Sequence, residues 1–361
     1  MVLGAGTLSA TVGAAGVDPV GTEFERGDRI MPSILAGSGR MSTLEVLAPA
    51  KLNLSLAVLA RRPDGFHDIE SLMVPVTLHD TLRVRRTETP DIAVRVSWSG
   101  RLASADGRVL ARDVPSDDRN LVVRAARSLA AAAGVTAGLE IDLVKEIPSG
   151  AGLGGGSSDA AAVLLAAARL WGLDWPPEKL AGVAAGIGSD VPWFFAGGPA
   201  IARGRGERVE PVAGLHAWPA VIACPVGGLS TAAVYTGCTP SMARQGDAAR
   251  LATALAAGGL SAAIPFMHND LEAPACRASA DVVALLEALA RAGATAPRLT
   301  GSGSACFAIC RTIREARGIA ARIAAERSPH DAGAARWPGV FVVRLACPDP
   351  RDPDPGGPCS E

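Results

Sequence analysis

An α+β fold with two domains is what this 361-residue chain predicts, and three observations predict it. Strand-like and helix-like segments mix in both halves without strict βα alternation, which argues against a doubly wound sheet. Hydrophobic residues make up 48% of the chain and charged residues 20%, enough apolar material for a large core. At roughly 150 residues per domain the length suggests two units, and we place the boundary near residue 211, giving 41–210 and 211–347.

The elements follow in order. Leu44–Leu47 and Leu52–Leu59 read as short strands separated by Ala48-Pro-Ala50, and Ser71–Val76, Thr81–Arg85 and Ile92–Ser97 as further strands. Asn120–Ala133 carries apolar residues at helical spacing, with Gly134 placed to stop it. Leu139–Val144 alternates as a strand, a glycine-rich loop follows, and an Ala/Leu helix runs from Ser157, Ser158 or Asp159 to Trp171. In the second half Ala220–Cys224, Ala305–Cys310 and Val340–Leu345 read as strands. Asp247–Ala257, Ala280–Ala292 and Ile313–Ala325 read as helices, and Arg298–Thr300 leads into a second glycine turn. Residues 1–40, rich in Gly, Ala, Ser and Thr, are expected to be a disordered extension. The proline-rich run from Pro348 to Pro358 is expected to be a tail.

Composition excludes several classes of function. Lys plus Arg total 35 and Asp plus Glu 36, so no bulk field draws the chain to nucleic acid or an anionic membrane. The stretch 211–243 lacks Asp, Glu, Lys and Arg. It is broken by Pro211, Pro219, Pro225 and Pro240, and so is rejected as a membrane span. The seven cysteines form no Cys-x-x-Cys pair and none has a histidine at zinc spacing; no metal framework is expected, and the thiols read as reduced and cytoplasmic. Only Lys51, Lys145 and Lys179 are lysines among the 35 basic residues, so each stands out against an arginine background.

The strongest local signal is Pro148-Ser-Gly-Ala-Gly-Leu-Gly-Gly-Gly-Ser-Ser-Asp159. A strand enters, glycines free the backbone amides to converge, and the following helix offers unsatisfied first-turn N–H groups. Pro148, Ser149, Gly150, Ala151, Gly152, Leu153, Gly154, Gly155, Gly156, Ser157 and Ser158 are therefore read as an anion cradle for a nucleotide's phosphates. An ordinary capped turn needs one or two glycines, not five in seven residues. The P-loop pattern is absent because no Gly-Lys-Ser/Thr occurs. Gly150, Gly152 and Gly155 match G-x-G-x-x-G, but no acidic-tipped second strand follows, which disfavours a dinucleotide-binding oxidoreductase.

Pro49-Ala-Lys-Leu-Asn-Leu54, the central glycine loop and Leu299-Thr-Gly-Ser-Gly-Ser304 resemble the three motifs of the GHMP kinases. Ala48-Pro-Ala-Lys-Leu-Asn53, Arg62-Pro-Asp-Gly-Phe-His67, Gly154-Gly-Gly-Ser-Ser-Asp159 and Gly188-Ser-Asp-Val-Pro192 are similar to those of the members that act on 4-diphosphocytidyl-2-C-methyl-D-erythritol. The resemblance spans about residues 44 to 346, in the family's order. It implies a β-rich nucleotide-binding domain followed by a ferredoxin-like α+β domain. It also implies transfer of the ATP γ-phosphoryl group to the substrate's 2-hydroxyl, as in non-mevalonate isoprenoid biosynthesis. A homoserine, mevalonate or sugar kinase is the alternative within the family.

By the same resemblance Asp190 is the catalytic carboxylate, which the apolar Val191–Phe195 run would desolvate; alone, this tetrapeptide would read as a helix cap. Lys51 matches the active-site lysine, and Asn53, two residues on, shares its face of a strand and binds substrate. Phe66 and His67 match the pair that holds cytosine, with Phe where Tyr is usual. Thr300–Ser304 is implied to support the phosphate loop. Asn120 and Ser230-Thr231 fall near ligand positions. Mg²⁺ is expected with ATP, held mainly through the phosphates, with the Ser158 hydroxyl the one side chain suggested as a ligand. A monomer or weak homodimer is expected, without nucleic-acid or membrane partners.

Overall fold

The computed structural model describes residues 33–34, 42–111, 114–328 and 334–347. The proline-rich tail and all of the first 40 residues except Ser33 and Ile34 lie outside the described residues.

Two sheets organise the chain. The first contains β1 (Ser33–Ile34), β2 (Thr43–Asn53), β3 (Ala57–Arg61), β4 (His67–Thr87), β5 (Ile92–Trp98), β6 (Gly138–Lys145), β7 (Ala200–Gly204) and β8 (Arg208–Pro211). Its main path runs β1-β2-β4-β6-β5, with β3 and β7 also on β4 and β8 on β7. Only β5 and β6 pair in parallel; every other pairing is antiparallel. A dinucleotide-binding domain needs a parallel sheet, so that alternative falls here. Inward-facing Leu44, Val46, Leu82, Val84, Ile141 and Leu143 pack under the helices Leu121–Ala133 and Gly155–Leu170.

The second sheet holds β9 (Pro219–Cys224), β10 (Arg298–Leu299), β11 (Cys306–Ile309) and β12 (Gly339–Arg344) in the antiparallel order β10-β11-β9-β12. That order, with helices in the β9–β10 and β11–β12 connections, is the ferredoxin-like one. Strand alternation divides its residues. Val221, Ala223, Cys306, Ala308, Val340 and Val342 lie under the helices Ala280–Arg291 and Ile313–Ala325. Ala220, Ile222, Phe307, Ile309 and Val343 instead share a core with Ala50, Leu52, Leu72 and Val74 of the first sheet. The two sheets are thus welded through the strands that carry Lys51 and Asn53. The bridge between Val76 and Leu345 and the Ala346 N–H to Pro75 carbonyl bond (2.8 Å) close the seam.

Three local expectations change. Leu44–Leu47 and the first part of Leu52–Leu59 are one strand, because Pro49 sits at a register shift between Pro49 and Lys51, where a missing N–H costs no ladder bond. Ser71–Val76 and Thr81–Arg85 are parts of one 21-residue strand; the polar His79-Asp80 step between them is accommodated because Asp80 is fully buried against Lys145. The loop helix begins at Gly155, earlier than Ser157, with Gly154 in the left-handed cap position (φ 74°). The 211–243 stretch contains β9 and the short helix Thr231–Thr236, and among the described residues no helix is long and apolar enough to cross a membrane.

Candidate active site

The glycine-rich loop is held from two sides. Lys51 N donates to Leu153 O (2.9 Å) and Ala305 N to Ala151 O (3.0 Å), so β2 and the turn before β11 both grip it. Gly150, Gly152 and Gly154 adopt φ of 69°, 83° and 74°, values that exclude most side chains. A Cβ at Gly152 would lie 2.3 Å from Thr300 O, and one at Gly154 2.9 Å from Lys51 Cγ. The glycines therefore serve close packing. The buried Ser158 Oγ, in the first turn of the helix, has no hydrogen-bond partner among the described residues.

Lys51 lies beneath this loop, 3% exposed. Its Nζ donates to Asn53 Oδ1 and stands 3.8 Å from Asp190 Oδ2. Burial pushes the ammonium below its ordinary value, and the Asp190 charge opposes that shift. Asn53 is fixed on every side: its N–H donates to Thr300 Oγ1 (3.0 Å) and its Nδ2 to Ser71 Oγ (2.8 Å), which in turn donates to Ser55 O. Lys51 and Asn53 do share one face of β2. The Thr300 turn touches both the glycine-rich loop and the lysine pair.

Asp190 differs from expectation in one respect. Val191, Pro192, Trp193 and Phe194 are buried, but they pack into the core behind it, and the carboxylate is 40% exposed. The apolar run anchors the loop without covering the acid. Nor is Asp190 a helix cap: the short turn Pro192–Phe195 is preceded by Val191 and has no side-chain cap.

From Asp190 a cleft of about 730 Å³ opens, lined among others by Phe66, His67, Arg205, Thr231 and Tyr235. The His67 and Tyr235 rings lie 5.2 Å apart at 33°, and the Arg205 guanidinium stacks 4.4 Å over the Phe66 ring, which is 48% exposed. Tyr235 was not anticipated. It is the chain's only tyrosine, a compositional signal that the Thr231–Thr236 helix around it does nothing to amplify. Burial first, and then the Asp190 charge, raise its phenol. Thr231 Oγ1 meets Ser302 Oγ at 2.9 Å, joining this helix to the Thr300 turn. Asn120 and Ser230 are occupied as helix caps, accepting from Val122 N and Ala233 N.

A second unanticipated group lies under the helix start. Lys145 is buried between Asp80 and Asp159 (2.7 Å to the latter), and Asp80 also accepts from the amides of Glu146 and Ile147. Burial raises the Asp159 carboxyl well above its ordinary range against the pull of Lys145. Lys145 Nζ lies 3.2 Å from where a Cβ on Gly155 would stand, so this triad underpins the glycine-rich loop. Lys179, by contrast, sits 3.6 Å over the Trp175 ring on the surface.

Residues 120–198 match the GHMP kinases N terminal domain and residues 243–328 the GHMP kinases C terminal domain. The 4-diphosphocytidyl-2-C-methyl-D-erythritol kinase of Rhodopirellula baltica is 41% identical over 82% of this chain and 94% of its own length. This chain belongs to that kinase family. The enzyme of the same name from Pelotomaculum thermopropionicum is 38% identical over 77% of this chain and 93% of its own. A crystal structure of 4-(cytidine 5'-diphospho)-2C-methyl-D-erythritol kinase superposes with a TM-score of 0.64 at 34% identity, covering 83% of this kinase and 98% of that chain. The crystal structure of L. major mevalonate kinase, at 15% identity and a TM-score of 0.62, shares the fold. This GHMP kinase is therefore a small-molecule kinase, with ATP the phosphate donor its family uses.

Proposed function

We propose that this kinase transfers the ATP γ-phosphoryl group to the 2-hydroxyl of 4-diphosphocytidyl-2-C-methyl-D-erythritol, giving the 2-phosphate and ADP in the non-mevalonate route to isoprenoid precursors. The observation that carries the reading is the 3.8 Å Lys51–Asp190 pair, placed between a glycine cradle and an aromatic cleft. The loop and first-turn amides of Gly152–Ser157 hold the phosphates, and the Lys51 ammonium faces charge that develops on the transferred group. Asp190 accepts the hydrogen bond of the attacking hydroxyl. As the alcohol oxygen bonds to the γ-phosphorus and the bond to the ADP oxygen breaks, the hydroxyl proton passes to the Asp190 carboxylate. Its exposure gives that proton a path to water. Asn53 fixes the lysine's direction.

In the cleft, Phe66 and Tyr235 offer flat apolar faces and His67 an edge partner, the pattern a pyrimidine base requires. Mg²⁺ accompanies the nucleotide in this reading and neutralises phosphate charge. The buried, unpartnered Ser158 Oγ is the side chain that fits such a role. An ADP-release assay tests the reading: release should depend on the cytidyl substrate and not be supported by homoserine or mevalonate. ADP formation with either of those alcohols at a comparable rate would overturn it.

A further inference from the structure

Arg205 occupies a distinctive place. It sits in the β7–β8 turn, whose Gly204 and Gly206 take φ of 71° and 118°, and its backbone N–H is held by Glu207 Oε2 at 2.6 Å. On one side its guanidinium covers the Phe66 ring at 4.4 Å. On the other, the turn abuts the catalytic acid: a Cβ on Gly206 would stand 3.8 Å from Asp190 Oδ1. Among the described residues neither Arg205 nor the neighbouring cleft residue Arg61 has a carboxylate within ion-pair distance. The carboxylate that feels Arg205, Asp64, is itself clamped by Arg62 through three hydrogen bonds. An unneutralised planar cation thus stands in a cleft between a ring suited to a base and the acid suited to an alcohol.

We propose that Arg205 is the diphosphate receptor of this cleft and holds the Phe66 face until the cytosine ring arrives. The inference rests on the cytidyl-substrate reading and adds to it the group that recognises the anion between base and tetritol. A guanidinium stacks on an aromatic ring as a flat base does and also forks onto phosphate oxygens. When the pyrimidine takes the ring face, the displaced guanidinium swings toward the diphosphate, between Phe66 and Asp190. The substrate's two charges are then met by a side chain that had no anionic partner before.

Calorimetric titration of the full chain with cytidine and with CDP separates base from diphosphate. Wild-type protein should bind CDP on the order of tenfold more tightly than cytidine. Arg205→Ala should cut that ratio at least threefold while cytidine binding stays equal or tightens, because the ring face is no longer occupied. Arg205→Gln, which keeps a planar end and drops the charge, should give the same loss. A ratio reduced less than threefold in both variants overturns the role of Arg205. A wild-type protein that binds neither ligand overturns the cytidyl reading itself, and this inference with it.

Discussion

Two glycines of the phosphate loop, four residues apart, should respond in opposite ways to the same added methyl group. At Gly152 the backbone is left-handed (φ 83°), where a residue with Cβ is disfavoured by about 1–2 kcal/mol. The methyl would also lie 2.3 Å from Thr300 O, a backbone atom that cannot rotate away. Relieving that overlap separates the loop from the turn that supports it, at a further cost of about 1–3 kcal/mol for overpacking. Gly152→Ala should therefore destabilise by about 2–5 kcal/mol and raise KM for ATP well above its effect on the alcohol substrate. At Gly156, inside the first helical turn, the closest neighbour of a Cβ is Leu121 Cδ1 at 3.5 Å, an ordinary contact. Gly156→Ala should stabilise the nucleotide-free protein by up to about 1 kcal/mol through helix propensity. Urea unfolding midpoints measured without nucleotide, with KM for each substrate, make the comparison. Equal effects of the two substitutions, in either direction, would refute the packing argument for this loop.

Three further outcomes follow from the site. Lys51→Ala and Asp190→Asn should each lower kcat by orders of magnitude while far-ultraviolet circular dichroism stays native, and near-normal turnover by either would remove that residue from the mechanism. His67→Ala should raise KM for the cytidyl substrate and leave KM for ATP nearly unchanged; an equal rise in both counts against a base site at the cleft. Lys145→Met should destabilise by about 3–5 kcal/mol by leaving two buried carboxylates unpaired. Asp159→Asn should cost less, because burial already favours the uncharged form of that group and Lys145 keeps Asp80. Buried His268 supplies a pH test. Burial, with Arg244 adding to it, pushes the imidazole below its ordinary value of 6.5, so the unfolded chain takes up this proton first as pH falls. The His268 contribution is intact above pH 6.5 and is lost as pH drops toward the lower folded value. His268→Asn should flatten the decline of Tm in that window, and an unchanged slope would contradict the assignment.

The residues that the sequence singled out and the structure brings together, the glycine loop with Lys51, Asn53 and Asp190, are those in which chemistry and local pattern coincide. Five glycines between a strand and a helix leave few structural explanations, and Lys51 stood out in a chain that otherwise chooses arginine. Groups assembled by tertiary contact were not legible. Tyr235 lies 45 residues from Asp190 along the chain, in a six-residue helix with no pattern of its own. Asp80 was not singled out, because a buried aspartate in mid-strand makes sense only beside Lys145, 65 residues away. The missed continuity of β4 has the same cause. Pro49 misled because a proline suggests a strand end unless a bulge accommodates it, and the bulge is visible only in the pairing with β4. The desolvation expected at Asp190 failed because an apolar run on one side says nothing about which way the acid itself faces.

One structure determination bears most directly on the central idea, that the glycine loop presents a nucleotide's phosphates to an alcohol held by the Lys51–Asp190 couple. Crystals grown with a non-hydrolysable ATP analogue and the cytidyl alcohol should place the terminal phosphate over Gly152–Ser158 and the 2-hydroxyl within hydrogen-bond distance of the Asp190 carboxylate. A triphosphate bound away from that loop, or a hydroxyl turned from Asp190, would contradict it.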